Sequence, residues 1–448
     1  MTSDVAVPFT LGSAAPVLGT ALHPVMSSAA MVTMVGIDSR AMGEGGLFVP
    51  LPGRFTDGHA FVKSALDGGA LAALVAESQA ESVFASIPDD QHSRLLIVDD
   101  PLEALHRLAR WYLSERGDIQ KIAVTGSNGK TTTKECIASI LAQEFSVFKT
   151  AGNYNSVIGV PLALFGIKDE HAYVVCELAM SEKGEMSKLA ALLSPDLAVI
   201  TNIGTAHIGN LGSQDDIAVE KKAVFSCFSG RQLAFIAEDD AYYDFLSQGI
   251  AGTVVPFGEV HTPGISGVEE NGLDGTLIYW DGMEINLPVP GRHNVMNTAA
   301  AISVAMELGV SPEAVKRGIE SLQLPFGRGQ IIRGEVSIIQ DCYNANPQSM
   351  RAALEFFASL AWKGRKVAVL GDMLELGSET RQQHVALVSE VRAYGFDRVY
   401  WVGENLAGQF TGAELVLNKN EFAGPGVDDI ADDLCAYTRP GDLLLLKG

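Results

Sequence analysis

The feature that most restricts the fold is the change of pattern across residues 121–145. An apolar run, Lys121–Thr125, gives way to a glycine-rich turn, and beyond the turn Ile137, Ile140, Leu141 and Phe145 recur at helical spacing. The alternation continues. Tyr173–Cys176, Leu197–Ile203 and Leu233–Ala237 read as strands, and Asn294 to Leu308 reads as a helix stopped by Gly309. Strands that alternate with helices predict a mostly parallel sheet covered on both faces. From Thr253 to Pro290 short β segments separated by glycines predict a small antiparallel insertion.

The chain of 448 residues is too long for one hydrophobic core and divides into three blocks. Residues 1–116 hold a glycine-rich segment from Ile37 to Phe61 and strands at Leu71–Val75 and Leu95–Val98. They end in a helix from Pro101 to about Glu115, with Leu102, Leu105, Leu108 and Tyr112 on one face, which bridges into the next block. Residues 117–323 carry the pattern described above. Residues 324–448 alternate again, with strands at Val336–Gln340, Lys366–Leu370, Arg398–Val402 and Leu443–Leu446 and helices at Pro347–Leu360 and Ser378–Tyr394. This order is Rossmann-like, but it lacks G-x-G-x-x-G, so no dinucleotide is inferred.

A formal net charge of −22 argues against a nucleic-acid binder. Any anionic substrate must then be held by local cations, backbone N–H groups or a metal. Five widely spaced cysteines suggest neither a disulfide framework nor a zinc site and fit a reducing cytoplasm. No apolar run is long enough to span a bilayer, and the N-terminus lacks a basic region before an apolar core, so neither membrane insertion nor a signal peptide is expected.

The strongest chemical signal is TGSNGKTTT, Thr125–Thr133, between a predicted strand and a predicted helix. Glycines let the backbone turn its N–H groups toward phosphate oxygens, and the helix N-terminus adds partial positive charge. Lys130 can reach terminal phosphates and the Thr131 hydroxyl can ligate Mg²⁺. The general phosphate-loop pattern G-x-x-x-x-G-K-[ST] would place its first glycine at Val124. The spacing here is the shorter Gly126-Ser127-Asn128-Gly129-Lys130-Thr131, followed by Thr132. That form resembles the Mur ligases and the related folylpolyglutamate synthases.

The resemblance implies a three-domain α/β ligase: a small UDP-binding domain, a central ATPase domain and a C-terminal Rossmann-like domain. It also implies roles for further residues. Glu177, at a strand end in CELAMSEKGE, would ligate Mg²⁺; read alone, it is an exposed glutamate. His207, in TNIGTAHIGN, would be the metal-linked histidine; a lone histidine is otherwise structural. Lys221, in AVEKKAVF, would be carbamylated and join a two-metal site, although Lys221 and Lys222 also read as a solvated pair. Gly209 and Ala223 stand where acidic residues are expected. His293, Asn294 and Asn297 would lie on the adenine side, with Asn294 an alternative N-cap. Arg328 would reach the ATP phosphates from the third domain, and Asp341 the ribose hydroxyls.

Within the family, YNANPQS, Tyr343–Ser349, is similar to the members that add D-alanyl-D-alanine to a UDP-N-acetylmuramoyl-tripeptide, as is VLGDMLELG, Val369–Gly377, followed by His384. Tyr343, Asn344, Asn346 and Ser349 would then face the dipeptide, while Asn346 could also cap the helix beginning at Pro347. Asp38, Ser39 and Arg40, with Phe48 and Asp57–His59 followed by Phe61, resemble the family's UDP-binding elements. The expected substrates are ATP, the UDP-linked tripeptide and the dipeptide, acted on by a monomer. The family pattern continues past Lys447–Gly448 with Ser-Arg, so the C-terminal substrate wall is expected to be incomplete. Rival readings are a ligase of this fold for another amino acid or for a folate, a GTPase-type switch, and an inactive nucleotide-binding scaffold. The switch lacks its guanine-reading motif, because Asn418-Lys419-Asn420 is followed by Glu421 rather than Asp.

Overall fold

The computed structural model describes residues 1–53, 55–411 and 415–448, with the backbone alone at Thr2. Arg54, inside the glycine-rich segment, lies outside the described residues. The first sheet runs in the order Thr2–Thr10, Met31–Gly36, Gly46–Phe48, Ala72–Ala76, Leu95–Val98, antiparallel at its first pair and parallel elsewhere. Pro8 hides Thr2–Thr10 from a reading of the sequence, because proline withholds a donor from a ladder. The strand tolerates it as an edge strand whose register breaks between Asp4 and Phe9.

The middle sheet has six parallel strands in the order Thr253–Phe257, Leu233–Ala237, Leu197–Ile200, Gln120–Thr125, Tyr173–Glu177, Val147–Lys149. Three sequence expectations need correction here. Thr253–Phe257 pairs parallel with Leu233–Ala237 and extends this sheet; only Ile265–Glu270, Thr276–Trp280 and Met283–Leu287 form the antiparallel insertion. The strand expected to reach Ile203 stops at Ile200, because Thr201 and Asn202 turn their polar groups onto the phosphate loop. The helix after the loop, Lys130–Leu141, ends before Phe145, whose ring packs edge-on against Tyr173 instead.

The third sheet runs Gln330–Ile332, Ser337–Asp341, Leu443–Lys447, Lys366–Gly371, Arg398–Val402, Glu421–Gly424, parallel except at its first pair. Its loops after Asp341 and Gly371 meet the loops after Thr125 and Ile200 of the middle sheet. The carboxyl ends of two parallel sheets thus share one cleft, where open α/β sheets place ligands.

Helix Pro101–Ser114 joins the first two sheets. Asp100 caps it, accepting from Leu102 N and Glu103 N, and Pro101 occupies its first turn. Leu105, Leu108, Ala109 and Tyr112 are buried in a core continuous from Val5 to Leu246. The Tyr112 hydroxyl accepts from Val7 N at 3.0 Å and donates to Ile167 O at 2.9 Å, tying the edge strand to the middle domain. Tyr112→Phe keeps the ring but leaves a buried N–H and C=O unpaired. It should lower the unfolding free energy by about 1–3 kcal/mol in urea denaturation; an unchanged midpoint would show that the hydroxyl is dispensable.

Candidate active site

The phosphate loop is held by contacts that leave its glycines no room. Gly126 has φ 143° and Gly129 φ 78°. A Cβ on Gly126 would collide with the Thr201 hydroxyl, and one on Gly129 with the Asn297 amide oxygen. Ser127 N donates to Asn202 O at 2.9 Å and Asn128 N to Asn202 Oδ1 at 3.0 Å. The Thr201 hydroxyl and Asn202 Nδ2 both donate to Asn128 O, at 2.5 and 3.1 Å. Helix Lys130–Leu141 starts at Gly129 with no side-chain cap. Its first N–H groups therefore face the cleft as an anion site.

Five polar side chains converge behind this loop. Glu177 is 1% exposed, so it is not the solvated strand-end residue that its sequence context allowed. Its two oxygens accept from the Thr131 hydroxyl at 2.7 Å and from Asn155 Nδ2 at 2.8 Å. Lys130 Nζ folds back onto Gly126 O and Ser127 O, at 2.9 and 3.1 Å, and Lys221 Nζ donates to the same Gly126 carbonyl at 2.9 Å. Lys221 is 1% exposed, whereas Lys222 lies over the Phe245 ring at the surface, so the two are not a solvated pair. Burial, and then the charge of Lys130, hold the Lys221 pKa well below its ordinary value. Burial also lowers the pKa of Lys130, with Glu177 opposing it and Arg328 adding to it. Two lysine amines on one carbonyl, behind an uncapped helix end, make a site prepared for anionic oxygens.

The third sheet closes the cleft. Asn346 Nδ2 donates to Asn128 Oδ1 at 2.7 Å, and Asn128 Nδ2 to Gln348 Oε1 at 3.3 Å. Asn346 also caps helix Pro347–Ser359: its Oδ1 accepts from Ser349 N at 2.9 Å, while its own N–H donates to Ser349 Oγ. Both ends of its amide are engaged, and Ser349 is spent on the same cap. Asn344 is exposed and accepts from Ala345 N, and Arg328 stacks on the Tyr343 ring at 3.8 Å. Asp341 pairs with Lys447 at 3.1 Å. His293 opens on the cleft between the sheets, and the surrounding protein desolvates it and lowers its pKa, with Asp341 opposing. Asn294 does not cap its helix; Gly291 stands at the cap, and Asn294 links Pro290 O to Asn297. His207 is not gathered with Glu177 and Lys221. Its Nδ1 stands 2.5 Å from Glu375 Oε2 of the third sheet.

Residues 31–112 match the Mur ligase family catalytic domain, 124–305 the Mur ligase middle domain and 327–448 the Mur ligase glutamate ligase domain. A UDP-N-acetylmuramoyl-tripeptide–D-alanyl-D-alanine ligase of Treponema pallidum (strain Nichols) is 37% identical over 92% of this chain and 90% of its own length. Its namesake in Bacillus subtilis (strain 168) is 34% identical over 96% and 93%. The chain belongs to the Mur ligase family. Among solved structures, a MurF from Acinetobacter baumannii superposes with a TM-score of 0.87 at 29% identity, covering 99% of this chain and 96% of that one. A MurF ligase from Thermotoga maritima in complex with ADP gives 0.76 at 27% identity, covering 92% and 93%.

In this Mur ligase the first-domain motifs are built into short turns. Asp38 caps the turn Ser39–Ala41 and pairs with Arg40 at 2.8 Å, leaving Ser39 and Arg40 at the surface. Asp57 accepts from His59 N and from His59 Nδ1 at 2.7 Å, while His59 Nε2 accepts from Ala76 N. His59 is thus a buried brace, and Phe48 is wholly inside the core. The sequence reading missed Asn155, Thr150 and Glu375. Asn155 and Thr150 both bond Glu177, the latter by accepting from its N–H at 3.1 Å. A polar loop directly after a strand, TAGNYNS from Thr150, was the available signal.

Two outcomes follow from this geometry. Asn346→Ala removes a cap and an interdomain bond together, so stability should fall by about 0.5–2 kcal/mol. Michaelis constants should rise for ATP as well as for the amino donor, because Asn128 belongs to the phosphate loop. Lys221→Met removes a buried amine whose folded pKa lies below 10.5. Between the folded pKa and 10.5 the unfolded chain binds the proton and the folded one does not, so parent stability climbs with pH. In buffer free of carbon dioxide the variant should melt above the parent near neutrality, and the gap should close as pH rises toward 10.5.

Proposed function

We propose that this chain uses ATP to join D-alanyl-D-alanine to the terminal carboxylate of a UDP-N-acetylmuramoyl-tripeptide, in the cytoplasm, during synthesis of the cell-wall precursor. Likeness to enzymes of that name over nine-tenths of the chain supports the substrates. The observation that carries the chemistry is the pair of lysines on the Gly126 carbonyl behind an uncapped helix N-terminus.

A carboxylate must be activated before an amine displaces its oxygen. ATP phosphorylates the tripeptide carboxylate to an acyl phosphate; the dipeptide amine attacks the carbonyl carbon, and phosphate leaves from the tetrahedral intermediate. Lys130 leaves its backbone carbonyls for the transferring phosphoryl group, whose charge it offsets from a fixed position. Gly126, Ser127, Asn128, Gly129, Thr131 and Thr132 surround the phosphates, and Arg328 approaches them from the third domain. His293, Asn294 and Asn297 shape the adenine side, and Asp341 serves the ribose once it leaves Lys447.

The donor set fits divalent ions. Among the described residues no three His, Cys, Asp or Glu side chains form a metal cage. Mg²⁺ does not need one, since it binds through one or two carboxylates together with phosphates and water. Thr131 and Glu177, with His207 and Lys221 as a carbamate, would hold two such ions. The neutral amine that burial favours in Lys221 is the form that combines with carbon dioxide. Bound Mg²⁺ would supply positive charge to the phosphoryl oxygens.

The division of labour follows three units. Residues 1–116 hold the UDP end through Ser39, Arg40 and the turn braced by Asp57 and His59, with Phe48 as packing beneath them. Residues 117–323 hold ATP, and residues 324–448 bring the dipeptide, with Tyr343 and Asn344 exposed toward it. Among the described residues no helix is long and apolar enough to cross a membrane.

The test is phosphate release with ATP, the UDP-linked tripeptide and D-alanyl-D-alanine together, and with each omitted in turn. Release should require all three, and a folded Lys130→Ala variant should release none. Equal release without the dipeptide, or with a folate acceptor in place of the tripeptide, would overturn the reading.

A further inference from the structure

We propose that Glu375, at the tip of the loop Gly371–Gly377, binds the ammonium group of the incoming dipeptide. This rests on the ligase reading and deepens it by naming a residue that selects the amino donor.

The loop is built to present one side chain. Asp372 is consumed at its base, where it accepts from Asn405 N, Leu406 N and Asn405 Nδ2 at 2.8–2.9 Å. Buried His384 fixes the next residue by accepting from Met373 N at 3.0 Å, while its other ring nitrogen contacts Thr380 O. Glu375 then adopts φ 61°, a conformation that side chains other than glycine rarely take and that clusters at functional sites. Its side chain stays 42% exposed at the cleft mouth.

The loop docks on the middle domain with little freedom. Gly209 N donates to Glu375 O at 2.9 Å, and a Cβ on either Gly209 or Gly377 would run into the backbone of the other. Gly209 is one of the two places where an acidic residue was expected, and a side chain there would keep this loop out. The carboxylate that reaches His207 therefore comes from the opposite domain.

Charge selects the ligand. The cleft receives a polyphosphate, the carboxylate being activated and an acyl phosphate, all of them anionic. A carboxylate beside them repels each, unless its partner is a cation. The dipeptide's α-ammonium is cationic near neutrality, as would be any side-chain amine of the tripeptide; of the two, the dipeptide is the substrate brought by the domain that carries Glu375. The Glu375 carboxylate stands 2.5 Å from His207 Nδ1; the ammonium takes that place when the dipeptide enters. A carboxylate–ammonium contact also favours D-alanyl-D-alanine over an uncharged analogue of the same shape.

The experiment compares wild type, Glu375→Gln and Glu375→Asp by steady-state ligation. The Gln variant should raise KM for D-alanyl-D-alanine about ten- to a hundredfold. Its KM for ATP and for the tripeptide, its Mg²⁺ activation midpoint and its melting temperature should be unchanged, and Asp should recover part of the loss. In calorimetry with ADP and the tripeptide present, wild type should prefer D-alanyl-D-alanine to D-lactyl-D-alanine, and Glu375→Gln should lose that preference. An unchanged dipeptide KM overturns the assignment. So does a raised Mg²⁺ requirement, which would make Glu375 a metal ligand, or a proportionate loss for all substrates with lower melting, which would make it a latch. A wild-type protein that does not ligate the dipeptide fails earlier, at the ligase reading itself.

Discussion

Everything at this centre depends on how closely the phosphate loop packs against fixed polar side chains. Gly126 lies on the Thr201 hydroxyl and Gly129 on the Asn297 amide, with no space for a Cβ at either. That closeness lets two short stretches, Thr201–Asn202 after one strand and Asn297 in a neighbouring helix, set the path of the loop backbone. The loop in turn aims the N-terminus of helix Lys130–Leu141. A phosphate site made from backbone dipoles works only if those dipoles are already in place, because reorganising them during the reaction would forfeit the stabilisation they offer.

Charge is distributed to the same end. The chain carries a net charge of −22, yet Lys130 and Lys221 meet at the Gly126 carbonyl and Arg328 lies within charge range of Lys130. A chain of this net charge repels anions on the whole, and these basic side chains offset that repulsion at the cleft. The local arrangement works against stability, since a fully buried lysine loses its hydration and gains only one carbonyl. Lys134 shows the contrasting solution. It is equally buried, but it pairs with Glu135 at 2.9 Å and donates to Thr150 O at 2.7 Å. Thr150 also bonds the N–H of Glu177, so the satisfied lysine supports the wall on which the reactive groups stand.

The sequence made some of this plain and concealed the rest, for physical reasons. Strands buried on both faces, such as Tyr173–Glu177 and Leu233–Ala237, are continuous apolar runs and are easy to read. The edge strand Thr2–Thr10 contains a proline, and Glu421–Gly424 has only four residues, opening on a glutamate and closing on a glycine, so neither carries that signal. Glycine spacing exposed the phosphate loop because backbone geometry there restricts residue type. Glu177 and Lys221 needed the family likeness, since burial of a charged side chain cannot be read from its neighbours in sequence. Asn346 shows the opposite limit. Its motif is recognisable, but only the structure reveals that its amide is divided between a helix cap and Asn128. Phe48 and His59 likewise sit in a recognisable motif while their side chains face inward.

Asn128 connects these levels. Its carbonyl and N–H are held by Thr201 and Asn202 of the middle sheet, and its side chain is held by Asn346 and Gln348 of the third. Gln348 also lies so close to Gly204 that no side chain fits between them. A residue whose backbone belongs to one domain and whose side chain belongs to another cannot satisfy both sets of bonds unless the domains are closed. Opening the cleft would strand two amides next to the phosphates and expose the loop that must stay ordered for transfer. Closure is therefore coupled to the placement of the Asn128 side chain, while the loop backbone keeps its own contacts to Thr201 and Asn202, and substrate that favours that placement also favours the closed domains. That coupling draws the third sheet over the phosphate loop, and a cleft closed in this way shields a hydrolysable acyl phosphate from water.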